Sequence, residues 1–126
     1  MRLNAYIVAI LTVVSFAVAY GADPVVIGTW LGKSEIPGQG IDDFILVFAK
    51  AEGGLTGNIT DTLGVIEKET KLSEIKLGTN KTVTFQFPLV DGMIIFCSLG
   101  IEREKMTGTW QNPGGNTGKL EFVRKK

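Results

Sequence analysis

Lys105-Met106-Thr107-Gly108-Thr109-Trp110-Gln111 is the stretch that decides the fold class of this 126-residue chain. Its apolar positions alternate with threonines, as in a strand that buries one face. Two earlier segments repeat the pattern, Val26-Ile27-Gly28-Thr29-Trp30 and Leu55-Thr56-Gly57-Asn58-Ile59. A glycine between two large apolar residues on one face marks a sharp bend or a place where a neighbouring side chain needs room. The pattern therefore predicts a small, strongly curved or closed sheet.

Short apolar runs separated by glycine-rich turns continue along the chain. They predict eight strands, at 25–33, 44–50, 55–61, 71–77, 82–87, 93–101, 106–111 and 119–124. The segment 62–70 is ambiguous, since it reads equally as a short edge strand or a turn of helix. Mostly short connections favour an all-β, eight-stranded antiparallel meander that closes into a small barrel. An eight-stranded barrel either fills with side chains or holds one small ligand.

The first 21 residues read as a secretory signal peptide rather than as part of the domain. Arg2 gives a basic start, an apolar run from Tyr6 to Tyr20 follows, and small residues end the segment. We expect cleavage after Gly21, with Ala19 as the alternative site. An uncleaved anchor is the other reading, but the run is short for crossing a bilayer. The sequence thus predicts a secreted or periplasmic domain at 22–126, without stable membrane insertion after cleavage.

Composition argues against several classes of function. Basic and acidic residues are equal at 13 each, and removal of the signal takes only Arg2, which leaves a net charge of −1. A near-neutral chain is not expected to bind nucleic acid, which normally needs a basic face. The same cleavage removes both tyrosines, so the remaining aromatics are Phe and Trp within predicted strands. That distribution favours a core over a recognition surface.

No catalytic or metal-binding constellation is evident. The chain has no histidine, which removes the commonest general base and metal ligand. Adjacent or alternating carboxylates (Asp42/Asp43, Glu67/Glu69, Glu102/Glu104) are interpreted as solvated turns and edges, with the aspartate pair capping the preceding turn. Cys97, the single cysteine, is interpreted as a small buried hydrophobe, with an intermolecular disulfide or a reactive thiol as the alternative. We expect no enzyme activity, no catalytic residues, no metal and no cofactor.

The ordered phrases of the chain resemble a family of small secreted bacterial β-domains, which also occur ahead of secreted α/β-hydrolase-type serine hydrolases. The matching phrases are Gly28-Thr29-Trp30-Leu31-Gly32, Leu46-Val47-Phe48, Gly54-Leu55-Thr56-Gly57 with Asp61, Val83-Thr84-Phe85-Gln86-Phe87-Pro88, Met106-Thr107-Gly108-Thr109-Trp110-Gln111 and Leu120-Glu121-Phe122. The resemblance implies a calycin- or lipocalin-like barrel of unsettled molecular function. Thr62-Leu63-Gly64-Val65 departs from the family, which often has Ser-Pro and Gln-Gly after the aspartate.

Two functions are compatible with such a barrel. The preferred one is a non-enzymatic binding module for a small apolar ligand. The alternative is an accessory domain that docks on a protein partner or self-associates, because the predicted strand 44–50 is apolar on both faces. The candidate lining residues are Phe44, Phe48, Phe85, Phe87, Met93, Phe96 and Met106; Met93 and Phe96 have opposite strand parity, so only one of those two can face inward.

Barrel closure is assigned to the two tryptophans. Gly-x-Trp strands lie near both ends of the chain, so we expect Trp30 and Trp110 to approach each other where the first and last strands meet. Removing the last predicted strand, Lys119 to Arg124, should then unfold the domain.

Overall fold

The structure, a computed structural model, describes residues 24–66, 68–78 and 81–126. Nine antiparallel strands form one sheet that curls into a nearly closed barrel. No residue in these ranges lies in a helix, so no helix there is long and apolar enough to cross a membrane. The predicted signal peptide lies outside the described residues. The strands are β1 (Gly28–Ile36), β2 (Gly40–Ala51), β3 (Gly54–Asp61), β4 (Thr70–Lys71), β5 (Ser73–Leu77), β6 (Thr82–Pro88), β7 (Ile94–Glu102), β8 (Lys105–Gln111) and β9 (Thr117–Arg124).

The sheet order is β4-β3-β2-β1-β9-β8-β7-β6-β5. Consecutive strands pair with each other, except β4 and β5, which are the two edges of the sheet. β1 pairs with β9 from Trp30↔Arg124 to Lys33↔Glu121. The first and last strands therefore meet, as the sequence predicted, and β9 is a central strand between β1 and β8.

The predicted count of eight strands is wrong by one, because the single strand expected at 71–77 is divided. Thr70–Lys71 pairs with β3, whereas Ser73–Leu77 pairs with β6. The chain bends between them: Glu74 has a positive φ of 53°, and the register shifts between Ser73 and Lys76. One segment of the chain thus forms both edges of the sheet and nearly closes the barrel between β3 and β6.

The inward glycine of β8 is explained by close packing of the backbone. A Cβ atom on Gly108 would overlap the carbonyl oxygen of Ser98 and lie 2.8 Å from the Cα atom of Leu99. On β3, a Cβ on Gly57 would lie 2.8 Å from the carbonyl oxygen of Val47. These two glycines let neighbouring strands approach where any side chain would force them apart.

The two ends of the barrel differ. One end carries the β2–β3 and β7–β8 turns together with residues 24–27, and we call it the closed end. The core beside it is tightly packed, with six side chains at most 1% exposed: Val26, Trp30, Phe48, Val83, Leu99 and Met106. The other end carries the β1–β2, β3–β4, β6–β7 and β8–β9 loops, and we call it the open end.

Arg124 fastens residues 24–27 over the closed end. Its guanidinium donates hydrogen bonds to the carbonyl oxygens of Val25 at 2.6 Å and Ile27 at 2.7 Å, and its Nε donates to Glu104 at 2.6 Å. The same group lies 4.3 Å from the ring centroid of Trp30, in the geometry of a cation–π contact. Trp30 in turn donates from Nε1 to the carbonyl oxygen of Val26 at 2.8 Å.

Candidate ligand-binding cavity

A cavity of about 230 Å³ lies inside the barrel at the open end. Its walls come from the inward faces of the strands, and its mouth comes from the four open-end loops. Most of the lining side chains are apolar. The strand positions are Ile36, Phe44, Ile59, Phe85, Phe87, Ile95, Cys97, Trp110, Leu120 and Phe122, and the loop positions are Pro37, Gln39, Val65, Ile66, Leu89, Met93, Asn112 and Asn116.

Aromatic packing across the barrel separates the cavity from the closed-end core. The rings of Phe48 and Phe85 meet edge to face with centroids 5.7 Å apart. Phe85 also stacks on Phe87, at 6.3 Å between centroids. Of the three, Phe85 and Phe87 line the cavity, whereas Phe48 packs on the side away from it. The Phe48–Phe85 pair is thus the floor of the cavity.

Four of the seven predicted lining residues, Phe44, Phe85, Phe87 and Met93, line the cavity. Two others, Phe48 and Met106, are buried but belong to the packed core near the closed end. Phe96 points outward and is 38% exposed. Met93 lies just before β7 in the β6–β7 loop, so it reaches the mouth rather than the wall.

The two tryptophans do not meet as expected. Trp30 pairs with Arg124 and Trp110 pairs with Gly118, six positions apart on β9. That spacing corresponds to about 20 Å along a strand. Trp30 therefore belongs to the closed end, whereas Trp110 lines the cavity at the open end.

The rim of the cavity has two chemically different sides. The β1–β2 and β8–β9 loops are neighbours because β1 pairs with β9, and they contribute Gln39, Asn112 and Asn116 to the lining. We call this the amide side. The β3–β4 and β6–β7 loops contribute apolar side chains, including Val65 and Leu89, and we call theirs the apolar side. The amide N–H of Val90 donates to the carbonyl oxygen of Val65 at 3.0 Å, which joins the two apolar-side loops.

Trp110 and Ser34 form a satisfied polar contact beneath the amide side. Trp110 donates from Nε1 to Ser34 Oγ at 3.1 Å. Ser34 Oγ donates to the carbonyl oxygen of Lys119 at 2.6 Å, beyond the point where the ladder between β1 and β9 ends. The indole N–H is therefore already used, and Trp110 offers the cavity its ring.

A pair of aspartates holds the β3–β4 loop. Asp42, fully buried, accepts hydrogen bonds at Oδ1 from the amides of Thr62 at 3.1 Å and Leu63 at 2.9 Å. Asp61 accepts from the amides of Val65 at 2.9 Å and Ile66 at 3.2 Å. Since the last two residues line the cavity, these carboxyl groups position part of its apolar side. The expectation that Asp42 caps the turn before it is wrong: it caps a loop 20 residues later.

Two titratable groups near the cavity are shifted toward their neutral forms. Burial, followed by a hydrogen bond to the Asp61 side chain, raises the pKa of Asp42 from 3.8 to about 6, although the amides of Leu63 and Thr62 act in the opposite direction. Oδ2 of Asp42 is buried without another hydrogen-bond partner. It is therefore the atom that can carry a proton toward Asp61. Burial also raises the pKa of the Cys97 thiol from 9.0 to about 12.

Sequence reasoning missed several of these residues. Strand parity in the sequence placed Trp110 and Leu120 on the inward face, but neither was among the predicted lining residues. Asn112 and Asn116 lie in a turn, and nothing in a turn motif indicates that it borders a cavity. Asp42 looked like one of two equivalent exposed carboxylates, since only the fold shows that it points inward.

Comparison of the chain with known proteins finds no matching family model, no matching curated protein and no matching solved structure. The resemblance to the secreted lipocalin-like family therefore stays a prediction.

Proposed function

We propose that this protein is a secreted or periplasmic, calycin-like binding module that holds a small apolar ligand in the open-end cavity and catalyses no reaction. The observation that supports it is the asymmetry of the barrel interior. Tightly packed side chains occupy the closed end, whereas the open end encloses about 230 Å³ of mostly apolar space. A domain that needed only a stable core would be expected to fill that space, because cavities reduce stability.

The volume limits the size of the ligand. An apolar cavity of about 150 Å³ accommodates benzene. By proportion, 230 Å³ accommodates a body of about nine non-hydrogen atoms. Longer molecules would have to extend through the mouth into solvent. Burial of nine carbons supplies about 7 kcal/mol before the costs of ordering, so dissociation constants on the order of 10–100 µM are expected.

A matched pair of variants tests the proposal with propylbenzene, which has no polar group, as the probe. Ile95 lines the cavity, and the adjacent Ile94 points outward. Ile95→Phe fills part of the cavity and should weaken binding at least tenfold in isothermal titration calorimetry. Ile94→Phe adds the same atoms outside and should leave the affinity unchanged. Equal affinities for both variants and the wild type would place the probe elsewhere and contradict the proposal.

A second candidate function rests on the outer surface. Leu31 pairs with Ile45 on one side and with Val123 on the other, and all three side chains are exposed. They form an apolar row across β2, β1 and β9, which favours docking on a second copy or another protein. Sedimentation velocity at increasing protein concentration tests self-association. A dimer that is dissociated by Ile45→Lys would support this candidate. A monomer at every concentration would exclude self-association and leave only docking on another protein.

A further inference from the structure

We propose that the ligand of this cavity is electrically neutral and carries, beside its apolar body, one oxygen atom that accepts a hydrogen bond from the amide side of the mouth. The chemical class is that of small ketones, esters and related neutral carbonyl compounds. This inference rests on the proposed function, since it specifies the chemistry of the same cavity.

The first support is that the described residues lining the cavity carry no charged side chain. Among the described residues that line it, none carries a carboxylate, ammonium or guanidinium group. Cys97 is the one titratable lining residue in that set, and burial keeps its thiol protonated by raising its pKa to about 12. A carboxylate or ammonium group on the ligand would lose hydration without meeting an opposite charge, which costs several kcal/mol when the loss is complete.

The second support is a side-chain hydrogen-bond donor on the amide side, the NH₂ group of Asn112. Asn112 Oδ1 accepts a hydrogen bond from the backbone amide of Asn116 at 3.0 Å. Because only the oxygen of the Asn112 side chain can accept this bond, the bond fixes the orientation of the amide and leaves its NH₂ group as a donor. The N–H of Trp110, by contrast, is already bonded to Ser34. A ligand oxygen is the complement of the Asn112 donor, because Nδ2 can donate but cannot accept.

The third support is the chemical difference between the two sides of the mouth. Val65, Leu89 and Met93 form its other side and offer no side-chain hydrogen-bond donor. A ligand with one polar end can therefore satisfy that end only on the amide side, while its body contacts the apolar side and the floor. This geometry favours a single terminal or near-terminal oxygen over a molecule that is polar at both ends.

Three probes with matched chains test the inference: octan-2-one, octanoate and octylammonium, measured by isothermal titration calorimetry on the purified protein at pH 7.5. Each has an eight-carbon skeleton, so the apolar contribution is nearly constant. We expect octan-2-one to bind at least tenfold more tightly than either ion.

The variant Asn112→Asp examines the donor directly. It keeps the oxygen that accepts from Asn116 and replaces the NH₂ group by an anionic oxygen, so octan-2-one should bind about tenfold more weakly and octylammonium should gain affinity. Asn58→Asp makes the same change on the outer face of β3 and should alter neither. It controls for the added negative charge.

The outcomes separate the inference from the function on which it rests. If octanoate binds as tightly as the ketone, or if Asn112→Asp leaves the order of affinities unchanged, the inference is wrong although the cavity still binds apolar molecules. Ile95→Phe should weaken the binding of any probe that occupies the cavity. If it weakens the binding of neither propylbenzene nor any of the three eight-carbon probes, both the inference and the proposed function are wrong.

Discussion

Replacement of Asp42 by asparagine should make the protein more stable at neutral pH. Asp42 is fully buried, and Oδ2 lacks a partner unless it carries a proton toward Asp61. Asparagine keeps the oxygen that accepts from Thr62 and Leu63, and it places an NH₂ group where the protonated carboxyl would donate. Asp42→Asn therefore imitates the protonated form at every pH.

The magnitude follows from the pKa of Asp42, which rises from 3.8 to about 6 in the folded protein. A raised pKa means that the folded state binds the proton more tightly than the unfolded state does. The stabilisation is fully present below pH 3.8 and is lost as the pH rises to about 6. Two pKa units correspond to about 3 kcal/mol of unfolding free energy, of which about 2 kcal/mol is lost between pH 4 and pH 7.5.

Urea denaturation of the wild type and Asp42→Asn at pH 4 and pH 7.5 measures this effect. The two proteins should be nearly equally stable at pH 4, and the variant should gain about 2 kcal/mol at pH 7.5, a midpoint shift of about 1–2 M urea. Other carboxylates titrate in both proteins and cancel in the difference. Asp43→Asn, at the exposed neighbouring position, should change stability by less than about 0.5 kcal/mol.

A variant no more stable than the wild type at pH 7.5 would refute the reasoning. It would mean that Asp42 is ionised in the folded protein and that its charge stabilises the loop through the amides it accepts from. Amide hydrogen exchange gives an independent readout. In the wild type, amide exchange at Val65 and Ile66 should rise above pH 6 more steeply than the intrinsic, base-catalysed exchange rate does. In Asp42→Asn, exchange at both positions should follow the intrinsic pH dependence.

Two further predictions concern the frame around the cavity. Gly108→Ala should lower the free energy of unfolding by about 2–4 kcal/mol in urea denaturation, because the added methyl group overlaps the β7 backbone. Gly100→Ala, whose Cβ would lie 3.8 Å from its nearest neighbouring atom, should lower it by less than about 1 kcal/mol, and equal losses would contradict the packing argument. Arg124→Ala should lower the free energy of unfolding by about 2–4 kcal/mol and speed amide hydrogen exchange in residues 24–27, because it removes the hydrogen bonds to Val25 and Ile27 and the contact with Trp30. Lys125→Ala, at the next and exposed position, should do neither.

Much of the sheet was predictable because alternation and turn residues are local signals. The strands overlap the predicted segments, most closely at β3 and β6. The agreement is poorer for β1, which lies at Gly28–Ile36 and not at 25–33, and for β2, which begins at Gly40 and not at residue 44. The division of the fourth predicted strand was not predictable. Leu72 lies between β4 and β5, and its neighbours pair with different strands: Lys71 with β3 and Ser73 with β6. This division follows from barrel closure, which depends on strands that are distant in the sequence. The start of β1 was also placed too early, because the apolar side chain of Val26 packs beneath the closed end outside any strand.

The cavity itself depends on a property that strand parity cannot supply, which is position along the barrel axis. Parity places Phe48, Phe85 and Met106 inside equally well, yet only Phe85 borders the cavity. Register accounts for Phe48, which pairs with Gly57 and with Gly28 at the start of β1, so its side chain points into the end that residues 24–27 cover. Met106 pairs with Phe122; Phe122 borders the cavity, whereas Met106 is buried in the core. The same register separates Trp30 from Trp110 and assigns them different roles, one beneath Arg124 and one in the wall of the cavity. For most inward residues of this barrel, position along the strand therefore decides between core and cavity; Phe122, in the closed-end half of β9, is the exception among the residues named here, because it borders the cavity. For that reason we expect the hydrogen-bond partner of the ligand's polar group to be a loop residue of the open end, such as Asn112. The phenylalanines that the sequence predicted as lining residues can contact only its apolar part.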